Sequence, residues 1–463
     1  MDISSFGRAP PRPRSSQASS AIRLRNILIL LRGQLWPLPL AISAVGLALA
    51  YGVLVFGEAA SRWALTGGAL PWWLFSGDAG TARDLLSSLL SGLMTMMSLV
   101  VSVTFVILSL AANQLGPRLI PTFMADRQIQ AVIGLFLATI LYILVVLRSI
   151  SDVLGPRGVP HVAVTGGTLL TVLCLFALLF YVHKVARSLV ADNIVDTVGR
   201  GLLQSVRMIL PERGDGDGRE VADARLPAVE QDIAIGRSGV IQVVDHDALL
   251  AQAIEAGVAL EVAVRAGHFV LRHGAHVRVR GGSLDEAGQD TVREAFVIGP
   301  ERSPAQDIEF GIRQLVEIGL RALSPGINDP FTAIATLDRL GEALEAAIAR
   351  GEPAAVLRDG DGHPRVVLSR SDPPGLIGAA FDALRQAART NPAVLIRMVD
   401  ILAELARAAE GPCWREALAD QLRKIGQTAQ AATLVPADLA AVQVRIEQAE
   451  DALGQPVRDR RPT

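Results

Sequence analysis

The chain has 463 residues, 50% of them hydrophobic and 19% charged, a balance too apolar for an ordinary soluble protein and too polar for a bare bundle of spans. A formal charge of −2 excludes the global basic field that nucleic acid selects. The two cysteines, Cys174 and Cys413, lie far apart and exclude both a disulfide framework and a CxxC metal site.

Residues 1–32 are rich in Pro, Ser and Arg and are expected to be disordered. The apolar run that follows is too long for a cleaved signal peptide, so it is expected to stay. Four stretches are long enough to cross roughly 30 Å of hydrocarbon. They run Leu35–Phe56, Leu85–Ala112, Ile129–Ile150 and Val159–Val182, within a transmembrane domain of residues 33–188. Arg8, Arg12, Arg14, Arg23, Arg25 and Arg32 precede the first; Lys184 and Arg187 follow the fourth. An even number of spans places both basic flanks on one side, which the positive-inside rule makes cytoplasmic. The expected location is a bacterial inner membrane with both termini in the cytoplasm. Trp63, Trp72 and Trp73, between spans one and two, suit the outer interface. On the inner side, Gly116 and Pro117 end the second span and Asp126 is placed to cap the third. Arg118 and Arg127 suit lipid headgroups, or else contacts to the soluble domain or charge filters at an inner mouth.

The second span carries Ser88, Ser91, Thr95, Ser98, Ser102, Phe105 and Ser109, stepping alternately by three and four. That spacing draws one stripe along a helix, opposite Leu89, Leu93, Met96, Met97, Val100, Val103, Ile107 and Leu110. The stripe reads two ways. Small and hydroxyl residues mediate packing between membrane helices, where lipid gives apolar faces no reason to associate. They also line pores, with a residue such as Phe105 as an apolar constriction. Both readings hold if the seam is a symmetry axis, which makes a homo-oligomer the expected partner besides the lipid bilayer. No ionisable residue lies mid-span in any of the four, against a proton relay or voltage sensor.

Residues 189–300 read as a mixed α/β region, with "GVIQVV" as a strand and "DHDALLAQAIEAG" as a helix capped by Asp245. "LEVAVRAGHFVLRHGAHVRVRGG" alternates as strands divided by glycine turns. His268, His273 and His276 form no metal-ligand pattern, and no cofactor is expected. Residues 301–455 read as mainly helical and 456–463 as a disordered tail. Ser303, Pro304 and Gln306 spell a capping box, with Glu309, Arg313, Glu317 and Arg321 stepping by four along an exposed, self-paired face. In "LSPGINDP", Ser324, Pro325, Gly326, Asn328, Asp329 and Pro330 form a turn with Asp329 capping the next helix. That turn is either helix punctuation or a ligand or subunit contact; Asp329 weighs against an anion there. "AAVLRDGDGHPRVVLSR" reads as a hairpin, followed by amphipathic helices near Leu376–Arg389, Ala393–Ala409, Trp414–Thr433 and Ala437–Leu453.

"LSLAANQLGPRLIPTF", "GHFV", "ERSPAQD" and "RALSPGINDPFTA" resemble the hallmark stretches of a family of bacterial membrane proteins defined by a domain of unknown function. The resemblance spans nearly all of the chain beyond its start. It implies four spans and a cytoplasmic domain, and brings no activity with it. The fold expected is therefore an α-helical membrane protein with a C-terminal cytoplasmic α+β domain ending in a helical bundle. No P-loop, HExxH, GxSxG or Cys–His arrangement is present, so no enzyme is expected. Two functions stay open: an oligomeric channel or channel-like conduit lined by the second span and gated by the soluble domain, or a non-conducting scaffold or sensor.

Overall fold

The computed structural model of the protein describes residues 35–66, 74–115, 124, 126–151, 159–188, 191–212, 226–350 and 355–454. The expectations for residues 1–32 and 456–463, and for Trp72, Trp73, Gly116, Pro117 and Arg118, fall outside these, as does the side chain of Trp63. The chain forms two compact units, Leu28–Asn193 and Ile194–Thr463.

The first unit holds α1 (Pro37–Thr66), α2 (Ala79–Leu115), α3 (Arg127–Ser149) and α4 (His161–Ser188). All four are long and apolar enough to cross a membrane. Within the unit, 67% of the apolar window of α3 is buried against 22% for α2, so α3 is the central helix and α2 a peripheral one. Small residues let α1 approach α3. A Cβ on Gly46 would sit 2.6 Å from the Ala138 Cβ, and one on Gly134 would sit 3.0 Å from the Pro39 Cα. Tyr142 donates to the Ala163 carbonyl at 3.0 Å and ties α3 to α4. Tyr181 reaches the Thr104 hydroxyl at 2.7 Å and the Val100 carbonyl at 3.0 Å, tying α4 to α2. As expected, Asp126 caps α3, accepting from the Gln128 amide at 2.9 Å. Its other oxygen meets Lys184 at 3.1 Å, which fixes the start of α3 beside the end of α4.

The second unit opens with α5 (Ala191–Ile209). Strands β1 (Val229–Ile233), β2 (Gly239–Val244), β3 (Ala259–Val262), β4 (Phe269–Val270), β5 (Val277–Arg280) and β6 (Phe296–Gly299) are interleaved with α6 (His246–Glu255) and α7 (Glu286–Glu294). There follow α8 (Ile308–Ala322), α9 (Pro330–Ala349), β7 (Val356–Arg358), β8 (Pro364–Leu368), α10 (Pro373–Ala387), α11 (Pro392–Ala408), α12 (Pro412–Ala431) and α13 (Pro436–Gly454). One sheet has the order β1-β5-β3-β8-β7, the other β4-β2-β6. Among the described strands only β3–β8 is parallel, and it carries the β7–β8 hairpin into the sheet that β1, β3 and β5 begin. The two sheets share a core: Ile233, Leu260, Val277, Val279 and Val366 from the first, Ile241, Val244, Val270 and Phe296 from the second. Asp245 caps α6 and Asp329 caps α9, both as the sequence indicates.

Two expectations fail around residue 305. The capping box does not form: α8 starts at Ile308 and its cap is Asp307, which accepts from the Phe310 amide at 3.2 Å. The Gln306 side chain is drawn away, receiving the Val244 amide at 2.8 Å and donating to the Val244 carbonyl at 3.1 Å. It extends the edge of β2 as a side-chain ladder rung. Nor is the Glu309 row an exposed face. Glu309 is 6% exposed, because it meets charges from other segments and not only Arg313 on its own helix.

Candidate functional site

Every member of the α2 stripe, Ser88, Ser91, Thr95, Ser98, Ser102, Phe105 and Ser109, lies exposed on the outside of the first unit. The opposite edge does the intrachain packing. Leu86, Leu93 and Val100, one residue per heptad, join the core with residues of α3 and α4, and Ile107, seven further on, is buried too. Along the stripe, Ser91 donates to the Ser87 carbonyl at 2.9 Å and Thr95 to the Ser91 carbonyl at 3.0 Å. These two hydroxyl protons are satisfied by their own helix, which leaves their oxygen lone pairs as acceptors on an exposed edge. At 37 residues α2 is about 55 Å long, well beyond a bilayer's hydrocarbon core.

The Ser324–Pro330 turn is closed by backbone bonds. The Asn328 amide reaches the Ser324 carbonyl at 2.9 Å, and the Asp329 amide reaches the Ala322 carbonyl at 2.8 Å. Asn328 sits at φ +49°, the one left-handed non-glycine residue among those described, a conformation Asn tolerates better than most. Both Asp329 oxygens are committed: one to the Phe331 and Thr332 amides, the other to the Thr332 hydroxyl at 2.6 Å. Hydrogen bonds from Thr332 hold its carboxyl below the usual range. Asp329 therefore fills the helix N-terminus that an anion would need. Pro325, Gly326, Ile327 and Asn328 are exposed, and Phe331, in the first turn of α9, is 80% exposed.

A third place was visible in the sequence only as fragments. "GHFV" and "ERSPAQD" meet at a buried knot of charge. Arg302 grips Asp307 with two parallel bonds, Nε at 2.6 Å and Nη2 at 2.9 Å. Arg265 pairs with Glu309 and donates to the Ser371 hydroxyl at 3.1 Å; Ser371 in turn donates to Glu309 at 3.0 Å. Arg265 Nη1 also meets His268 Nε2 at 2.6 Å, and since arginine only donates, the His268 proton sits on Nδ1. Burial first, and the neighbouring Arg265 second, push the His268 pKa down and keep the ring neutral. Burial alone raises the Glu309 carboxyl, but Arg265, Ser371 and Arg302 outweigh it and hold it below the usual range. Gly267, at φ +88°, makes room: a Cβ there would lie 2.3 Å from an Asp307 oxygen and 2.4 Å from Arg302 Nη2. Glu309, Arg265 and Ser371 escaped the sequence reading, which placed Glu309 on a solvated face. The only signal in the sequence was the company of "GHFV" and "ERSPAQD".

Asp359, Asp361 and His363 are the one grouping among the described residues whose ligand atoms converge, within 4.8 Å. Their geometry is that of a turn. Asp359 accepts the Asp361 amide at 3.1 Å, the His363 amide at 2.9 Å and Arg365 Nε at 2.8 Å, and Arg365 holds its pKa at about 2. The carboxylate is spent on closing the β7–β8 hairpin. His268 and His276 serve other bonds, the latter accepting the Ile235 amide at 3.1 Å on Nδ1.

Four membrane-length apolar helices followed by a unit of helices and two sheets define a polytopic helical membrane protein with a large extramembrane part. The chain belongs to the family described as predicted membrane protein (DUF2254), which matches residues 32–404. It is 29% identical over 441 residues to uncharacterized proteins of Mycobacterium bovis and Mycobacterium tuberculosis, covering 94% of this chain and 83% of each relative. No solved structure matches it.

Proposed function

We propose that the protein is an integral protein of the bacterial inner membrane, with both termini cytoplasmic, that assembles from copies of itself into a channel or channel-like conduit. The second span lines the path and the cytoplasmic domain gates it; no chemical step is assigned. The observation that carries this reading is the outward position of all seven stripe residues, which leaves that edge of α2 unused by the other described helices of its unit. In an oligomer built on this edge, the outward lone pairs of Ser91, Thr95, Ser98 and Ser102 offer weak ligands to water or ions, and Phe105 supplies an apolar ring. A second reading, a non-conducting scaffold or sensor, draws on the back-bonded protons of Ser91 and Thr95. A hydroxyl satisfied by its own helix suits a dry helix–helix seam as well as a wet wall.

The test uses single cysteines at Ser91, Ser98 and Ser102 in a chain freed of Cys174 and Cys413, reconstituted in liposomes. A conduit predicts labelling by a membrane-impermeant thiol reagent at all three depths, together with ion or solute flux that labelling blocks. Cysteine crosslinks between copies without labelling or flux would support the scaffold. Neither crosslinks nor labelling would end both readings, since the stripe would then face acyl chains.

A further inference from the structure

His268 is the member of the charged knot whose charge can change near neutral pH. Its Nε2 accepts from Arg265 Nη1 at 2.6 Å, and a guanidinium can only donate. A proton arriving on Nε2 therefore turns a hydrogen bond into two donors, and two cations, face to face. The groups around the ring do not make up that loss. Arg265 on its own segment and Arg302 ahead of α8 repel a charged ring, whereas Asp307 and Glu309 attract it. Both carboxylates are already taken: Asp307 by two bonds from Arg302, and Glu309 by Arg265, Ser371 and, at 3.7 Å, Arg313. His276 and Arg313 line the same open cleft as His268, and neither supplies a negative charge. The segment that the ring anchors is lightly held. Strand β4 pairs with β2 at two positions, Gly239–Val270 and Val240–Phe269. Just before it, the Gly267 amide reaches the Ile241 carbonyl at 2.8 Å and the Ile241 amide reaches the His268 carbonyl at 2.9 Å. β4 is an edge of its sheet, and Phe269 is already 65% exposed, so Val270 is the buried apolar side chain that lifting the strand uncovers.

We infer that His268 is a proton-operated latch: protonation at Nε2 parts it from Arg265 and releases the Gly267–Val270 edge from β2. Closed, the ring is kept neutral, because burial and then Arg265 hold its pKa below the ordinary 6.5. Released into water, it holds its proton at the ordinary value, so the open state gains as pH falls below 6.5. One proton taken up on opening multiplies the opening constant by about ten between pH 7.5 and 5.5. Glu309 titrates below 4.5, so its own loss lies beneath this window. Desolvation also lowers the pKa of His246 and His276, so acid weakens the second unit at large; the latch is the part of the response confined to the β4 edge. The inference is independent of whether the first unit conducts.

Amide hydrogen exchange of the full chain in uncharged detergent, read by mass spectrometry at pH 7.5, 6.5 and 5.5, tests the latch. Protection factors remove the chemical pH dependence of exchange itself. The expected result is a loss of protection at Gly267 and Ile241 of about tenfold between pH 7.5 and 5.5, with a much smaller loss at Leu260 and Val262 in the central strand β3. His268→Gln leaves an amide oxygen to accept from Arg265 and cannot take up the proton. In that chain the loss at Gly267 and Ile241 is expected to shrink to that of β3. The wild type decides the matter even if His268→Gln does not fold. Protection that holds constant down to pH 5.5, or that falls equally at β3, would overturn the inference, as would the same local loss in His268→Gln.

Discussion

On α2, Ser91 and Thr95 donate to carbonyls four residues back and remain on the outside of their unit. In the second unit, Glu309 is almost wholly buried and draws on Arg265, Arg302 and Ser371, from three other segments of the chain. Both places hold polar groups on apolar scaffolds, and their hydrogen bonds are met by different routes. A hydroxyl bonded to its own helix needs no tertiary partner, so its face is free for another chain. A buried carboxylate needs charges brought from afar, and removing any one strands the rest. Local satisfaction leaves a surface open to function; distant satisfaction locks a fold.

Replacing Glu309 by Ala breaks the distant arrangement most severely. Leaving Arg265 and Arg302 partly unpaired should cost about 3–5 kcal/mol, read as a lowered unfolding midpoint of the second unit in urea followed by circular dichroism. The same carboxyl sets a pH dependence. Its folded pKa lies below the ordinary 4.5, so its stabilisation is full above that value and disappears as pH falls through the lower, folded one. The wild type should therefore lose stability below about pH 4.5, and Glu309→Gln should lose less over that window. An unchanged slope would show that the carboxyl is solvated after all.

Within the first unit, Gly46→Leu forces a side chain against Ala138 and should cost about 1–3 kcal/mol in a detergent melt, since α1 and α3 touch there through small residues. In the turn, Asn328→Val places a β-branched residue at φ +49° and should cost roughly 1–2 kcal/mol, with Asn328→Gly nearly neutral. Ser98→Leu has the smallest expected effect on the single chain, within about 0.5 kcal/mol, because that stripe is outward. Its loss should appear in crosslinking between copies. A Ser98→Leu chain that melts early instead would place the stripe inside the unit and erase the contrast with Gly46.

Where a bond is made within a few residues and no distant group competes for its partners, the amino-acid order by itself decided the outcome. The four apolar stretches are helices, although α1 runs on from the expected Phe56 to Thr66 and α2 starts at Ala79, before the expected Leu85. Asp126, Asp245 and Asp329 cap the helices they precede, and "RDGDGHP" closes a hairpin. Periodicity also separated the buried Leu93, Val100 and Ile107 from the stripe opposite them. Tertiary structure alone decided the rest. Ser303 and Gln306 satisfy every local rule for a cap, yet Gln306 pairs with Val244 and Asp307 takes the cap. Glu309 sits at a helical spacing that belongs on a solvated face, yet Arg265 and Ser371 bury it. Strand β8 joins β3 in parallel across more than a hundred residues, a pairing no local pattern marks. The physical reason is the range of the interaction. Caps, turns and spans are chosen by neighbours in the chain or by the bilayer, whereas a buried ion or a parallel ladder is chosen by whichever distant group offers the complementary charge or edge.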